Sequence, residues 1–135
     1  MSQITIAKQI YRELLQGKIT VETAQERIDK LNIKSQEIDE IEIAIVPDDI
    51  IYVLQKFLSG KLQSEYLLDW SSFLIIENVF VDPEWIYDPY SDSYEPIWWV
   101  LQQLTCPAID GAITFTRVKE LAKYLEDLKK ILQTH

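Results

Sequence analysis

Apolar residues recur with a helical period along most of this chain. A first helix is predicted over residues 3–16 and a second over residues 21–31, because the apolar side chains of each segment fall on one face. Gly17 stands where a left-handed residue ends a helix, and Thr20 stands where a hydroxyl caps the next one. The two segments therefore predict an antiparallel helical hairpin.

A second hairpin is predicted further along, because the turn sequence repeats. Gly60-Lys61-Leu62 matches Gly17-Lys18-Ile19 at an offset of 43 residues, and a glutamate follows in the first turn of the next helix in both copies. Asp48 or Asp49 is expected to cap the helix that precedes Gly60. The spacing of apolar residues predicts further helices over residues 48–59, 64–77, 97–105 and 114–132.

The apolar pattern of residues 33–46 is compatible with either a helix or a strand. Isoleucines at 38, 41 and 45 share one face of a helix, whereas Ile41, Ile43 and Ile45 alternate with polar or small residues as in a strand. We favour a helix, because no strand partner is evident elsewhere in the sequence. The predicted fold is all-α, a compact bundle of five to six helices built from hairpins, with an α+β fold as the alternative if residues 38–46 form a strand.

The length and composition fit one globular domain spanning residues 1–135. Apolar residues make up 47% of the chain and charged residues 26%, which is a folded rather than a disordered balance. The net charge of −9 is concentrated, because residues 35–116 hold fifteen acids against Lys56 and Lys61. This middle segment is expected to repel nucleic acid phosphates and anionic membranes and to attract basic proteins.

Three residue types that catalysis often uses are scarce. The chain has one histidine, one cysteine and three glycines, and the histidine is the last residue, His135. This excludes a histidine-dependent triad, a zinc site rich in His or Cys, and a glycine-rich phosphate loop. We therefore expect no catalytic residues, no metal and no cofactor. No apolar run approaches a membrane span, so a cytoplasmic protein without a membrane partner is expected.

Residues 78–96 are predicted to form a long loop, because three Xaa-Pro pairs interrupt them. Carboxylates and aromatics alternate here without a base, which is typical of a surface that binds a basic partner. A calcium loop, a glycosidase-like carboxylate pair and a loop folded back onto the core are the alternatives. The predicted contact residues are Asp82, Glu84, Trp85, Tyr87, Asp88, Tyr90, Asp92, Tyr94 and Glu95.

A second acidic run precedes this loop in the chain. Its residues are Glu37, Asp39, Glu40 and Glu42, and they extend the predicted contact surface if they lie beside the loop. Otherwise they form a solvated face.

The stretch from Leu15 to Ile28, LQGKITVETAQERI, resembles the first hairpin of colicin D-type immunity proteins. That resemblance implies a small acidic helical bundle that binds a basic nuclease toxin and masks its active site. The leading hypothesis is therefore an acidic binding protein, specifically an immunity-like inhibitor of a basic toxin. A structural or assembly subunit and a metal-dependent hydrolase that uses the loop carboxylates are the alternatives.

Overall fold

The computed structural model describes residues 2–77, 79–81 and 96–133 of the chain. Within them the fold is largely helical, as predicted, and one short parallel sheet accompanies the helices. The elements are α1 Gln3–Leu15, α2 Val21–Asp29, α3 Ser35–Asp39, β1 Ile43–Ala44, α4 Pro47–Leu58, α5 Ser64–Ile76, β2 Phe80–Val81, α6 Pro96–Gln103, α7 Pro107–Asp110 and α8 Phe115–Gln133. The eight helices of these described ranges exceed the predicted five or six, because α3 and α7 are short separate turns.

The predicted turn of the first hairpin and the N-cap of α2 are confirmed, whereas α2 ends at Asp29, two residues before the predicted end at residue 31. Thr20 Oγ1 accepts a hydrogen bond from the Thr23 amide at 3.1 Å, which satisfies one of the unpaired N–H groups that begin α2. Gly17 adopts φ 73° directly after α1. The hairpin turn therefore forms where the sequence predicts it.

The predicted cap of α4 is wrong in position. The helix begins at Pro47, whose fixed φ and missing N–H suit a first helical residue, and Val46 is its N-cap. Asp49 Oδ2 instead accepts a hydrogen bond from the Val46 amide at 3.0 Å. Asp48 forms an ion pair with Lys129 Nζ at 2.5 Å, which links the start of α4 to α8.

Residues 33–46 form both of the predicted alternatives, first a helix and then a strand. A five-residue helix, α3, is followed by β1, which pairs in parallel with β2 in the register Ile43 to Phe80 and Ala44 to Val81. The favoured continuous helix is wrong, because a strand partner exists within the segment 78–96 that was predicted to be loop. Ile41, Ile43 and Ile45 are buried whereas Glu42 and Ala44 are exposed, which is the alternation of a strand.

The core joins two groups of helices. α1 packs against α2, α3 and α5, and α4 packs most extensively against α8, while α6 contacts both α5 and α8. Trp70 of α5 is fully buried, and its Nε1 donates a hydrogen bond to the Leu14 carbonyl at 3.0 Å. This bond fixes the middle of α5 against the end of α1.

The second predicted hairpin keeps its turn but not its packing. Gly60 has φ 81°, as the repeat predicts, yet α4 packs mainly on α8 and α5 on α6. The repeated sequence therefore specifies the turn alone. The choice of packing partner depends on apolar faces far apart in the chain.

These two glycines give a matched pair of variants. Gly60→Ala should lower the free energy of unfolding by about 1 kcal/mol, because the left-handed conformation is strained for alanine. Gly17→Ala should cost about 2 kcal/mol, because its Cβ would also lie 3.2 Å from Val53 Cγ2, whereas nothing lies within 4 Å at Gly60. Urea unfolding of both variants measures the difference. Equal losses would contradict the close packing at Gly17.

Candidate functional site

The predicted contact residues divide into two sets. Those from Asp82 to Glu95 lie outside the described residues. Those in the earlier acidic run are described, and all four side chains are exposed: Glu37, Asp39, Glu40 and Glu42. The candidate site is therefore built from this second set and its neighbours.

The parallel sheet determines where the acidic run lies. The Ile43 amide donates to the Val79 carbonyl at 2.6 Å, and the Ile45 amide donates to the Val81 carbonyl at 2.9 Å. The run thus leads into a strand whose partner ends at Val81, directly before the segment predicted to bind a partner. Burial of the isoleucines on one side leaves Glu42 on the solvent side.

Several carboxylates stand at the C-terminal ends of helices, and Glu40, the C-cap of α3, and Asp110, the last residue of α7, are two of them. Asp29 is the last residue of α2, Asp39 is the last residue of α3, and Glu77 is the C-cap of α5. The C-terminal end of a helix carries the negative end of its dipole, so an acid is disfavoured there. Glu22 and Glu65 follow the usual arrangement, in the first turns of α2 and α5.

Asp29, Asp39 and Glu77 lie close to the side chain of Tyr11 on α1. Its ring packs on Phe73 and Phe80 at centroid distances of 6.4 and 5.8 Å, and the residue is only 3% exposed. Burial, together with the charges of Glu77, Asp29 and Asp39, raises the pKa of Tyr11 to about 12. We call Tyr11, Asp29, Asp39 and Glu77 the acidic junction.

The Tyr11 hydroxyl has no hydrogen-bond partner within the part of the chain that the structure describes. Tyr66, the other tyrosine whose pKa burial raises to about 12, donates its hydroxyl proton to the Ile19 carbonyl. Buried hydroxyl groups in proteins are nearly always paired.

Glu77 is partly buried within the junction. Burial raises its pKa above the ordinary value of 4.5, and the neighbouring charge of Asp39 raises it again. The ionised form is thus disfavoured in the folded chain relative to the unfolded one. At neutral pH this carboxylate reduces stability.

The consequence is a testable pH dependence. Because the folded chain binds a proton at Glu77 more tightly than the unfolded chain, its contribution to stability rises as pH falls through the folded-state pKa and levels off below 4.5. Glu77→Gln should therefore be more stable than the wild type at pH 7.5, and the gain should shrink toward pH 4. Urea unfolding across this range measures it, with Glu26→Gln on α2 as the control. A gain that does not change with pH would contradict this account.

The acidic face is the junction together with the neighbouring run. Its six carboxylates belong to Asp29, Glu37, Asp39, Glu40, Glu42 and Glu77. The ion pairs among the described residues join Arg27 to Glu13 and Lys129 to Asp48, so none of the six is neutralised by a pair there. Lys30 and Lys34 flank the face in sequence.

The sequence analysis missed Tyr11, Asp29 and Glu77. Tyr11 belongs to the apolar stripe of α1, so the sequence pattern predicts that it lies in the core, and the side chain is indeed buried. The signal that was available for the other two was an acid at the end of a predicted helix, against the dipole. Their convergence depends on the packing of α2 and α5 around α1, which no local pattern reveals.

The face offers acceptor oxygens and negative charge. Among the described residues no group of three His, Cys, Asp or Glu side chains is arranged to hold a metal ion. Carboxylates of this kind accept charge-assisted hydrogen bonds from cationic groups. Beside Glu77, Ile76 is 75% exposed and offers an apolar contact next to the charges.

A groove of about 390 Å³ lies at the N-terminal ends of α2 and α5, which are the ends opposite to Asp29 and Glu77. The first turns of α2 and α5 line it, with apolar walls from Val21 and Leu62. Because α5 has 13 residues, this groove lies about 18 Å from the acidic junction. Its acids therefore offer a control surface within the same molecule.

Comparison with protein-family models, with curated proteins and with solved structures finds no match to this chain. Within the described segments, no helix combines the length and the apolar character needed to cross a membrane.

Proposed function

We propose that this chain is a non-catalytic binding protein whose acidic face docks a basic protein. The observation that carries the proposal is the set of six carboxylates on neighbouring elements, none of them in an ion pair among the described residues. Four of the six, Asp29, Asp39, Glu40 and Glu77, stand where helix dipoles disfavour them, so the arrangement reduces the stability of the free chain. A positively charged partner removes that cost.

The physics of such a face favours protein over nucleic acid. Uncompensated charges of one sign raise the local concentration of oppositely charged molecules and speed their association. The same field repels phosphates. The exposed Ile76 supplies apolar area beside the charges, which is the usual composition of a protein interface.

The proposal extends to the class of partner. An inhibitor of a basic nuclease-type toxin would place carboxylates on the surface that the toxin uses for phosphates. Inhibition would then be steric and electrostatic, and it would take place in the cytoplasm. The resemblance of residues 15–28 to colicin D-type immunity proteins supports this class.

Capture from the source cells tests the proposal. The immobilised chain is incubated with cell extract at low salt beside a variant in which Glu37, Asp39, Glu40 and Glu42 are changed to the matching amides. We expect the wild type to retain a basic protein that the variant does not. The captured protein is then purified and the binding of both chains is measured directly. Retention by both forms alike, or a self-associated chain that hides its acidic face, would contradict the proposal.

A further inference from the structure

The groove at the N-terminal ends of α2 and α5 is formed by both copies of the repeated turn. Residues 20–22 of the first copy and residues 61–63 and 65 of the second copy line it, together with Tyr66 and Asp69 of α5. Its volume of about 390 Å³ falls within the range of roughly 300–1,000 Å³ that is usual for binding pockets. The repeat therefore forms a concave surface as well as two turns.

The apolar walls of the groove are held in place by contacts within the chain. The Tyr66 hydroxyl donates a hydrogen bond to the Ile19 carbonyl, which fixes the position of the ring. Leu62 packs over the first turn, because a Cβ at Gly17 would lie 3.7 Å from Leu62 Cδ1. Walls that are fixed before binding lose little conformational freedom on association, so the groove is preorganised.

The groove carries more negative than positive charge. Three exposed acids line it, Glu22, Glu65 and Asp69, against one exposed base, Lys61. Glu22 and Glu65 stand in the first turns of their helices, where they compensate the positive helix ends. Asp69 lies beyond the first turn of α5, where the dipole no longer accounts for it. The groove therefore attracts a cation rather than an anion.

The apolar walls define a second property of the ligand. Val21, Leu62 and Tyr66 are half-buried and border the groove. Lysine and arginine side chains combine an aliphatic stem, which packs on apolar surface, with a charged head that stays in water. A compact cation would leave the walls uncovered, and a neutral aliphatic chain would leave the acids without a counter-charge. The walls and the acids together fit a side chain that has both parts.

We propose that this groove docks a basic peptide segment of a partner protein through one lysine or arginine side chain. The aliphatic stem lies along Val21, Leu62 and the ring of Tyr66. The charged head lies beside Glu65 and Asp69, which are one helical turn apart on α5. The inference goes beyond the proposed function, because it concerns a surface separate from the acidic face. Contacts inside such a groove act mainly on the dissociation rate, so they do not alter the long-range attraction that the acidic face exerts.

The test uses three blocked tripeptides that differ only in their central side chain. The first is acetyl-Ala-Lys-Ala amide, the second has norleucine in place of lysine, and the third has 2,4-diaminobutyric acid there. Norleucine keeps the stem without the charge, and diaminobutyric acid keeps the charge on a stem shorter by two methylene groups. Binding to the purified chain at pH 6.5 is followed by NMR titration of the backbone amides of residues 20–22 and 61–69.

We expect saturable binding of the lysine peptide at least threefold tighter than that of either other peptide, because each buried methylene group strengthens binding. Equal affinity for the lysine and diaminobutyric peptides would indicate a response to charge alone. Equal affinity for the lysine and norleucine peptides would indicate a response to apolar surface alone. Either result would overturn the proposed docking site.

Two matched variants locate the binding. Asp69→Asn removes an exposed acid of the groove, and Glu40→Gln removes an exposed acid of the acidic face. Asp69→Asn should weaken binding of the lysine peptide threefold or more, and Glu40→Gln should leave it unchanged. The amide spectrum of each variant shows directly that the fold is retained. If Asp69→Asn binds the peptide as tightly as the wild type, or if Glu40→Gln weakens binding as much, the groove is not the site.

The two proposals fail separately. If the lysine peptide does not bind in the groove but the acidic face captures a basic protein, the groove is wrong and the proposed function stands. If the peptide binds in the groove as expected but the acidic face captures no basic protein, the groove stands and the proposed function is wrong.

Discussion

Replacing Trp70 with alanine is expected to lower the free energy of unfolding by about 4 kcal/mol. The indole is fully buried, and its Nε1 donates to the Leu14 carbonyl at 3.0 Å, so the change removes a large apolar side chain and a buried hydrogen bond together. Domains of this size have about 5–15 kcal/mol of stability in total. The expected loss is therefore a large fraction of the total stability.

Two further variants separate the causes of that loss. Trp70→Phe keeps an aromatic ring in the core and removes the indole N–H. The Leu14 carbonyl still accepts a hydrogen bond from the Gly17 amide at 2.9 Å, so the free energy of unfolding should fall by only about 1 kcal/mol. Trp99→Ala removes a tryptophan that is 43% exposed and should cost about 1 kcal/mol. Urea unfolding followed by circular dichroism measures all three. Equal losses for Trp70→Ala and Trp99→Ala would contradict the described core.

The second large effect concerns association with the captured partner. Changing Glu37, Asp39, Glu40 and Glu42 to the matching amides should lower the association rate constant at low salt by about 100-fold. The four side chains are exposed, and their loss removes most of the acidic face without emptying the core. Stopped-flow mixing with the purified partner measures the rate.

The control removes acids from the opposite ends of α2 and α5. Its three substitutions are made at exposed acids that line the groove, namely Glu22, Glu65 and Asp69. Glu65 stands twelve residues before Glu77 on α5, which is about 18 Å along the helix. Both variants are also compared in 0.1 M salt, where the Debye length is about 10 Å, and there the control should slow association roughly threefold or less. A control that slows association as much as the test variant would indicate a response to total charge alone.

The helices were predictable because their signals are local. Thr20 and Gly17 mark the ends of α2 and α1 through hydrogen-bond and backbone preferences that need no tertiary contact. The sheet was not predictable in the same way. β1 and β2 have two residues each and lie far apart in the chain, so their pairing depends on α5 bringing Phe80 beside Ile43.

The candidate site was likewise predictable only in part. The acidic run was evident from composition, and the structure describes its four side chains as exposed. The junction was not evident, because Tyr11, Asp29 and Glu77 come from three separate helices. An acid at a helix end becomes informative only when a buried tyrosine is found beside it.

The dependence of association on ionic strength tests the central claim most directly. The rate constant for wild type and partner is measured between about 0.02 and 0.5 M salt, a range over which the Debye length shortens several-fold. The account predicts a steep fall for the wild type, a nearly flat response for the acidic-face variant, and convergence of the two at high salt. A wild-type rate that does not change with salt, or parallel curves for the two chains, would contradict it.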